Sequence, residues 1–274
     1  MRISTETGSI AWFVDVETAV RMIADAGFDA WDFTLFDLHK PDALLFGDNC
    51  RNMARKLRKI GEECGIVCNQ THAPYPSTME NLPILKEALR CTAAVGAEIC
   101  VIHPISYGTT EESVELYRAL LPTAKEYGVK IATENLMGFN KTMNIPATGA
   151  TPDRLMELVN AINDPSLVVC MDLGHTEIRP IGVGSAPMIH ALGHHLQALH
   201  VHDNDLVNDS HELPLTMNID FDVMLHALHD IGYNGYFTLE AIHYMLDHYT
   251  AETVADGVRH MATVARSLAD RIDQ

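Results

Sequence analysis

The stretch Leu199-His200-Val201-His202-Asp203-Asn204-Asp205 joins an apolar strand to a run of side chains that commonly bind metal ions. Five other short apolar segments end in a similar way. They are Gln70-Thr71-His72, Val101-Ile102-His103, Ala132-Thr133-Glu134-Asn135, residues 169–175 (VCMDLGH) and residues 237–240 (FTLE). A chain that repeatedly places His, Asp or Glu at strand ends is expected to gather these side chains into one polar site on a regular scaffold.

Predicted strands alternate with amphipathic helices along the whole chain. The strands are expected at residues 2–4, 30–35, 66–69, 98–104, 129–134, 167–172, 198–202 and 236–240. Apolar strands that alternate with helices are typical of a parallel sheet covered by helices, and eight such units predict closure into a barrel. An open doubly wound sheet is the alternative, but no G-x-G-x-x-G motif follows the first strand. Since a TIM barrel takes roughly 250 residues, the 274 residues predict a single (β/α)8 barrel domain over 1–274.

The acidic composition bears on what the protein binds. The chain has 19 Lys and Arg against 37 Asp and Glu, which gives a formal net charge of −18. Affinity for nucleic-acid backbones depends on Lys and Arg displacing counterions, so nucleic acid is not an expected partner. Residues 51–59 form the one dense basic run, and the apolar spacing of Met53, Leu57 and Ile60 predicts an outer helix with a solvated face.

The cysteines and the N-terminus bear on the compartment. Six cysteines occur at positions 50, 64, 68, 91, 100 and 170 without a C-x-x-C pair, and several lie in apolar segments. Buried free thiols in a reducing compartment are therefore expected. The N-terminus lacks the regions of a signal peptide, and no run approaches the roughly 20 apolar residues of a membrane span. These features predict a soluble, cytoplasmic protein without a membrane partner.

The last four predicted strands end in side chains suited to one metal ion. Active sites of TIM barrels form at the C-terminal ends of the strands. Strands five to eight are neighbours in the barrel, so their terminal side chains are expected to converge. These side chains are Glu134, Asp172, His200 and Glu240. A single such residue is more often part of the polar rim, but three carboxylates and one imidazole on adjacent strands favour one divalent ion, with Mn2+, Mg2+ or Co2+ preferred.

The motifs resemble those of the xylose-isomerase-like TIM barrels. They are H-A-P-Y (72–75), I-H-P (102–104), E-N (134–135), D-L-G-H (172–175), H-V-H-D-N-D (200–205) and L-E (239–240). The resemblance covers nearly the whole chain, and six motifs in order at strand ends are specific for the superfamily, although not for a substrate. The superfamily contains sugar and sugar-phosphate isomerases and epimerases, inosose dehydratases and enzymes of the endonuclease IV type.

The resemblance to the ketose 3-epimerases of this superfamily implies a set of roles. Their single divalent ion would be held here by Glu134, Asp172, His200 and Glu240. The two glutamates would also be the acid and base, and His175 would contact substrate. The implied activity is a metal-dependent sugar or sugar-phosphate isomerase or epimerase that transfers protons through a metal-stabilised enediolate. Its partner would be a small sugar or polyol, and homo-oligomer formation is left open.

The resemblance to endonuclease IV implies an alternative with up to three zinc ions. The extra ligands would be His72, His103, His175, Asp209 and His211, all of which are present. This pattern keeps an apurinic-site phosphodiesterase as a second hypothesis, against which the net charge of −18 counts. A dehydratase acting on a cyclic polyol is also compatible, since it begins with the same proton abstraction. Residues 212–218 (ELPLTMN) replace the glycine-rich end often seen in sugar-type members, and this departure bears on the substrate.

Several residues near the predicted strand ends are candidates for substrate binding. His103 and His175 are expected to orient hydroxyl groups or to hold a second ion. Trp12, after the first strand, is a candidate for an apolar wall, with core or rim packing as the alternative. Arg179 and Lys141 lie in loops on the same face, where either could pair with a phosphate or carboxylate, and plain surface solvation is the alternative for both.

Overall fold

A parallel barrel forms the centre of the molecule in the computed structural model, which describes residues 1–39, 48–106, 108–140 and 145–272. The strands are β1 (Arg2–Glu6), β2 (Ala30–Thr34), β3 (Val67–His72), β4 (Ile99–Ile102), β5 (Lys130–Glu134), β6 (Phe139–Asn140), β7 (Ile145–Pro146), β8 (Leu167–Asp172), β9 (Leu196–His200) and β10 (Tyr236–Leu239). Eight of them form one sheet in the order β10-β1-β2-β3-β4-β5-β8-β9, while β6 and β7 pair as a separate antiparallel ribbon.

Backbone hydrogen bonds beyond the end of β9 close the sheet onto β10. The Val201 N–H donates to the Thr238 carbonyl at 2.9 Å, and the Glu240 N–H donates to the Val201 carbonyl at 3.0 Å. The predicted (β/α)8 TIM barrel is therefore confirmed. That residues 1–274 make up a single domain stays a prediction.

Helices cover the outside of the barrel. They are α1 (Gly8–Ala11), α2 (Val16–Asp25), α3 (Asp48–Cys64), α4 (Leu82–Val95), α5 (Thr110–Tyr127), α6 (Pro152–Ile162), α7 (Leu173–Glu177), α8 (Ser185–Leu192), α9 (Phe221–Asp230), α10 (Ile242–His248) and α11 (Val254–Ala269). Within the described ranges, no helix combines the length and the apolar character needed to cross a bilayer. The cytoplasmic location stays a prediction.

The basic run at residues 51–59 lies on α3, which is an outer helix as the sequence predicted. Leu57 and Ile60 are buried against the core. Several cations of the opposite face are engaged by nearby carboxylates. The pairs are Arg51–Glu87, Lys56–Glu17 and Arg58–Glu62. These ion pairs leave less positive charge available for a phosphate backbone than the sequence alone displays.

The interior of the barrel changes from apolar to polar toward the C-terminal ends of the strands. Its lower part is filled by the buried side chains of Val101, Ala132, Val168, Cys170 and Ala198. Because successive side chains of a strand alternate between faces, the side chain two residues further along also faces inward. Two residues beyond Ala132, Cys170 and Ala198 lie Glu134, Asp172 and His200. The strand period thus brings three titratable side chains to the mouth.

The expectation of free thiols is wrong for two of the six cysteines. A disulfide joins Cys50 of α3 to Cys91 of α4, whose Cα atoms lie 6.1 Å apart. The two positions are 41 residues apart in sequence, and only the contact between these helices brings them together. The other four cysteines are free, and three of them are buried.

Candidate metal centre

Four side chains at the mouth form what we call the central cluster, and they are the four that the sequence singled out. The members are Glu134, Asp172, His200 and Glu240. One ligand atom from each lies within 4.8 Å of the others, and all four residues are buried. His200 Nδ1 faces two of the carboxylates, at 3.2 Å from Glu134 Oε1 and 3.7 Å from Glu240 Oε2. The convergence expected from the strand order is therefore present.

The Asp172 carboxylate tests whether this cluster suits a cation. Its Oδ2 atom is buried and has no hydrogen-bond partner among the residues that the structure describes, whereas Oδ1 accepts the His175 backbone N–H at 2.8 Å. Leaving a buried carboxylate oxygen unpaired is costly, and a divalent cation would satisfy it. Three carboxylates with one imidazole form a largely hard donor set that suits Mn2+, Mg2+ or Co2+. The residues present fit such an ion.

Asn135 fixes the position of Asp172 across the ends of β5 and β8. The Asn135 side-chain amide donates to the Asp172 carbonyl at 2.9 Å, and its Oδ1 accepts the Asp172 N–H at 2.7 Å. These two hydrogen bonds hold the backbone of Asp172 against Asn135, the residue that follows Glu134. The E-N motif therefore supplies one member of the central cluster, Glu134, and the side chain that positions another, Asp172.

The charge state of the central carboxylates is set by histidines. Burial by itself would raise the pKa of Glu134, but His200 and His103 outweigh it and hold this pKa well below its ordinary value. Burial would likewise raise the pKa of Asp172, and the nearby His175 and His202 lower it instead, to about 2. Both carboxylates are therefore ionised at neutral pH.

A buried carboxylate that the sequence interpretation missed supports His200 from behind. Asp32 Oδ2 lies 3.0 Å from His200 Nε2 and accepts a hydrogen bond from the Gln70 side-chain amide at 2.9 Å. An imidazole that donates Nε2–H to a carboxylate presents Nδ1 as its ligand atom and is held in one orientation. The signal in the sequence was a charged residue inside the otherwise apolar strand Ala30–Thr34.

Two more histidines contact the central cluster through Glu134. His72 Nε2 and His103 Nε2 each lie 3.2 Å from Glu134 Oε2. His72 Nδ1 is 3.0 Å from the Ala73 carbonyl, so its Nε2 is directed at the carboxylate. The ring of Tyr75 stacks on His103 with a centroid separation of 5.8 Å. Both oxygens of Glu134 are thus engaged by imidazoles.

A second group, which we call the histidine cluster, lies beside the first. Its members are His175, His202, Asp209 and His211, and one ligand atom from each lies within 4.8 Å of the others. The Asp209 carboxylate is at the centre, with Oδ2 at 3.4 Å from His175 Nε2 and 3.3 Å from His211 Nε2. In the described ranges of the chain, Asp209 Oδ1 is buried without a hydrogen-bond partner, which again leaves an oxygen that a cation could satisfy.

Backbone carbonyls orient two imidazoles of the histidine cluster. His175 Nδ1 lies 2.8 Å from the Asn135 carbonyl, and His211 Nδ1 lies 2.8 Å from the Glu240 carbonyl. Each contact assigns the proton to Nδ1 and turns Nε2 toward Asp209, the arrangement that metal-binding imidazoles adopt. Burial alone would lower the pKa of His211, but hydrogen bonding to Asp209 and the charge of Glu240 raise it to about 9.

His202 links the two clusters, and the sequence interpretation gave it no role. Its Nε2 lies 3.1 Å from Asp172 Oδ1 in the central cluster and 3.5 Å from Asp209 Oδ1 in the histidine cluster. Its ring stacks on His211 at a centroid separation of 4.0 Å. The signal was present in the sequence, because His202 comes two residues after His200, and side chains at this spacing in a strand face the same side.

The remaining candidates lie around the mouth. Trp12 follows α1 with 77% of its surface exposed, and it lines a cavity beside the end of β1. Arg179 is exposed after α7, and its backbone N–H donates to the Leu206 carbonyl at 2.9 Å. Lys141 lies outside the described residues. Binding of substrate by these residues stays a prediction.

Glu6 is a further carboxylate at the mouth that sequence reasoning missed. It ends β1 and is almost fully buried, where it accepts hydrogen bonds from the backbone N–H and hydroxyl of Ser9. Burial raises the pKa of Glu6, the hydrogen bonds from Ser9 oppose this rise, and the charge of Glu240 adds to it. The mouth therefore contains one more buried carboxyl group than the sequence predicted.

Comparison with known proteins gives the family. Residues 20–264 match the sequence model of the family described as the xylose isomerase-like TIM barrel. The chain belongs to this family. A relative from Methanocaldococcus jannaschii, the uncharacterized protein MJ1311, is 24% identical over 249 residues, which cover 81% of this chain and 78% of that protein.

Solved structures of sugar epimerases share the fold. The 3-keto-D-glucoside 4-epimerase from E. coli superposes with a TM-score of 0.73 at 18% identity, covering 97% of this chain and 99% of the other. The D-psicose 3-epimerase from Clostridium cellulolyticum H10, solved with D-tagatose, gives a TM-score of 0.72 at 18% identity, covering 100% and 98%. At this identity the likeness establishes a common fold, and the activity has to be argued from the site.

Proposed function

We propose that the protein is a divalent-metal-dependent isomerase or epimerase of a sugar or sugar phosphate. The observation that carries the proposal is the central cluster, in which four buried residues bring their ligand atoms together and Asp172 Oδ2 has no hydrogen-bond partner within the described part of the chain. The sugar epimerases among the structural neighbours support the same class of substrate. A divalent ion bound there would polarise a substrate carbonyl and stabilise the negative charge that develops on its oxygen.

The two glutamates differ in how closely imidazoles surround their carboxylates. Both oxygens of Glu134 face imidazoles within 3.2 Å, and its pKa is held low, so it is committed to the ionised form. Glu240 has looser contacts, 3.7 Å from His200 and 3.7 Å from His211, and its carboxylate is the more exposed of the two. Glu240 is therefore the better placed to take a proton from a carbon next to the carbonyl and, once protonated, to return it to that carbon or its neighbour, while Glu134 stays ionised.

The histidines at the mouth would place the substrate. His103 is 19% exposed in its side chain and rests on Glu134, and it could donate to a sugar hydroxyl. His175 holds the equivalent position above Asp172, where its side chain is 10% exposed. A compact polar substrate with several adjacent hydroxyl groups matches these donors and acceptors, as in a sugar or a polyol.

A substrate screen with a metal analysis tests the proposal. Ketoses, aldoses, inososes and their phosphates are incubated with the purified protein and Mn2+, and the products are separated by chromatography. We expect exchange of a carbon-bound proton with solvent D2O for at least one sugar, abolished by EDTA and restored by Mn2+. Absence of proton exchange from every sugar in the metal-loaded protein would contradict the proposal.

The histidine cluster favours one other candidate, a multi-zinc phosphodiesterase acting on abasic DNA. With His72 and His103, it completes the ligand set that the resemblance to endonuclease IV implies. The net charge of −18 and the ion pairs on α3 argue against a DNA surface. Elemental analysis and cleavage of an abasic oligonucleotide separate the candidates: three zinc ions with strand cleavage select the phosphodiesterase, and one ion with sugar turnover selects the epimerase.

A further inference from the structure

A separate cavity of about 310 Å3 opens at the ends of β1 and β2 and is covered by α10. Its walls include Trp12, Phe36, Ile242 and Leu246, and the buried Glu6 also contributes to its surface. Among the residues that the structure describes, none of the four members of the central cluster lines this cavity. It is therefore a pocket distinct from the candidate metal centre.

The cavity lies beside the central cluster at the ends of adjacent strands. Thr5 of β1 pairs with Leu239 of β10, so the next residues, Glu6 and Glu240, end adjacent strands at the same level. Ile242, which lines the cavity, follows Glu240 by two residues and begins α10. The residues that line the cavity, Glu6 and Ile242, are therefore near neighbours of Glu240 at the mouth of the barrel.

The chemistry of the cavity suits a ring with an apolar face. Trp12 is 77% exposed, and an indole left in water at the edge of a pocket offers a flat surface for stacking. Phe36 and Leu246 make another part of the apolar wall, while Thr34 and Glu6 provide a few polar atoms. The volume of about 310 Å3 is at the lower end of the range for ligand pockets, roughly 300–1,000 Å3, and so suits one ring better than a long chain.

We propose that the substrate has two rings. The reacting sugar binds at the central cluster, and a second ring, joined to it by a glycosidic bond, binds in the cavity against Trp12. The proposal rests on the proposed function for the reacting half only, because the cavity contains none of the central ligands. The second ring can be a sugar, which would stack through its C–H face, or an aromatic aglycone, which would stack through its ring face. The test therefore includes probes of both kinds.

Calorimetric titration of the metal-free protein tests the cavity without any turnover. The probes are glucose, galactose and fructose, as single rings, against disaccharides and phenyl glycosides that contain the same sugars. We expect at least one two-ring probe to bind about tenfold more tightly than its single-ring counterpart. Trp12→Ala should remove this advantage and Trp12→Phe should largely keep it. Val223→Ala, which shortens an exposed apolar side chain on α9, is the control and should leave binding unchanged.

Intrinsic fluorescence identifies the contact. The chain has two tryptophans, and Trp31 is 1% exposed, so a change caused by a ligand at the mouth reports on Trp12. Disaccharides that succeed where phenyl glycosides fail identify the second ring as a sugar, and the reverse result identifies an aglycone. Equal binding of one-ring and two-ring probes, or equal weakening of all probes by Trp12→Ala, overturns the proposal. If the metal-loaded parent protein converts no sugar, the proposed function is contradicted, but the binding results for the cavity still hold.

Discussion

The central cluster and the histidine cluster share a barrel mouth but differ in donors and in support. The first has three carboxylates and one imidazole, all buried, whereas the second has three imidazoles and one carboxylate, and three of its four members are only partly buried. Oxygen-rich sites favour Mn2+ and Mg2+, while imidazole-rich sites favour Zn2+ and other later transition metals. The donor sets of the two clusters would therefore suit different metal ions.

The two clusters also differ in the elements that carry them. The members of the central cluster come from the ends of β5, β8, β9 and β10, where the sheet fixes their backbone. Two members of the histidine cluster, Asp209 and His211, come instead from the segment that follows β9. Sites built on strands hold their geometry more closely than sites built on loops. We infer that the central cluster is the part suited to chemistry, while the histidine cluster has more freedom to exchange an ion.

The largest expected effect concerns proton transfer at the central cluster. Glu240→Gln keeps the shape of the side chain but cannot accept a proton from carbon. We expect turnover of the identified sugar to fall on the order of 10²–10⁴-fold, while the far-ultraviolet circular dichroism is unchanged. Steady-state kinetics with Mn2+ measures the loss.

The matched control for this variant is Glu252→Gln, which changes an exposed glutamate after α10. It should leave kcat and KM within error of the parent protein. Turnover that survives Glu240→Gln would remove this glutamate from the acid/base role and weaken the contrast between it and Glu134.

The next prediction tests whether the two clusters bind metal independently. Asp172→Asn should weaken Mn2+ binding at least about 100-fold, because a charged ligand with an unpaired buried oxygen is lost. Asp209→Asn should leave Mn2+ binding nearly unchanged and weaken Zn2+ binding instead. Calorimetry with each ion measures both effects. If both variants weaken both ions equally, the two clusters form one shared site, and the contrast drawn between them fails.

A smaller effect is expected from the support behind His200. Asp32→Asn retains an acceptor near His200 Nε2 but removes the negative charge of the contact at 3.0 Å. Loss of such a partner typically costs 10–100-fold in metal affinity, so we expect a loss of about that size for Mn2+ at the central cluster. Zn2+ binding at the histidine cluster should change little. Equal affinity of the variant and the parent for Mn2+ would show that the sheet alone orients His200.

The sequence predicted the central cluster well because strand order and strand period are local properties. Glu134, Asp172, His200 and Glu240 each end an apolar segment, and in a parallel barrel the ends of consecutive strands must meet. The same reasoning found the strands to within a few residues. It also located the mouth to which His72 and His103 contribute.

The parts that sequence reasoning missed depend on contacts between distant segments. Asp32 reads as one polar residue in a short strand, and only closure of the barrel brings it to His200, 168 residues away. His202 was visible in the H-V-H-D run, but its position between Asp172 and Asp209 depends on how the loop after β9 folds back. The Cys50–Cys91 disulfide depends likewise on the contact between α3 and α4.

The smallest expected effect concerns stability, and it separates the clusters by pH. The pKa of His211 is raised to about 9 in the folded, metal-free protein, against an ordinary value of 6.5. A histidine whose pKa is raised by folding stabilises the folded state. This contribution is complete when the pH is below the pKa of the unfolded chain, and it is lost as the pH rises through about 9. Between pH 6.5 and 8, His211 should therefore account for a fall in the free energy of unfolding on the order of 1–2 kcal/mol.

Urea denaturation of the metal-free protein at several pH values measures this slope, and His211→Asn should flatten it by that amount. Zn2+ should reverse the sign, because the ion competes with protons for the imidazoles and so binds more tightly as the pH rises. The reversal should be absent in His211→Asn if the histidine cluster is the zinc site. A reversal that persists in the variant would move zinc to the central cluster, where His200 is the imidazole ligand, and would show that a single site serves both ions.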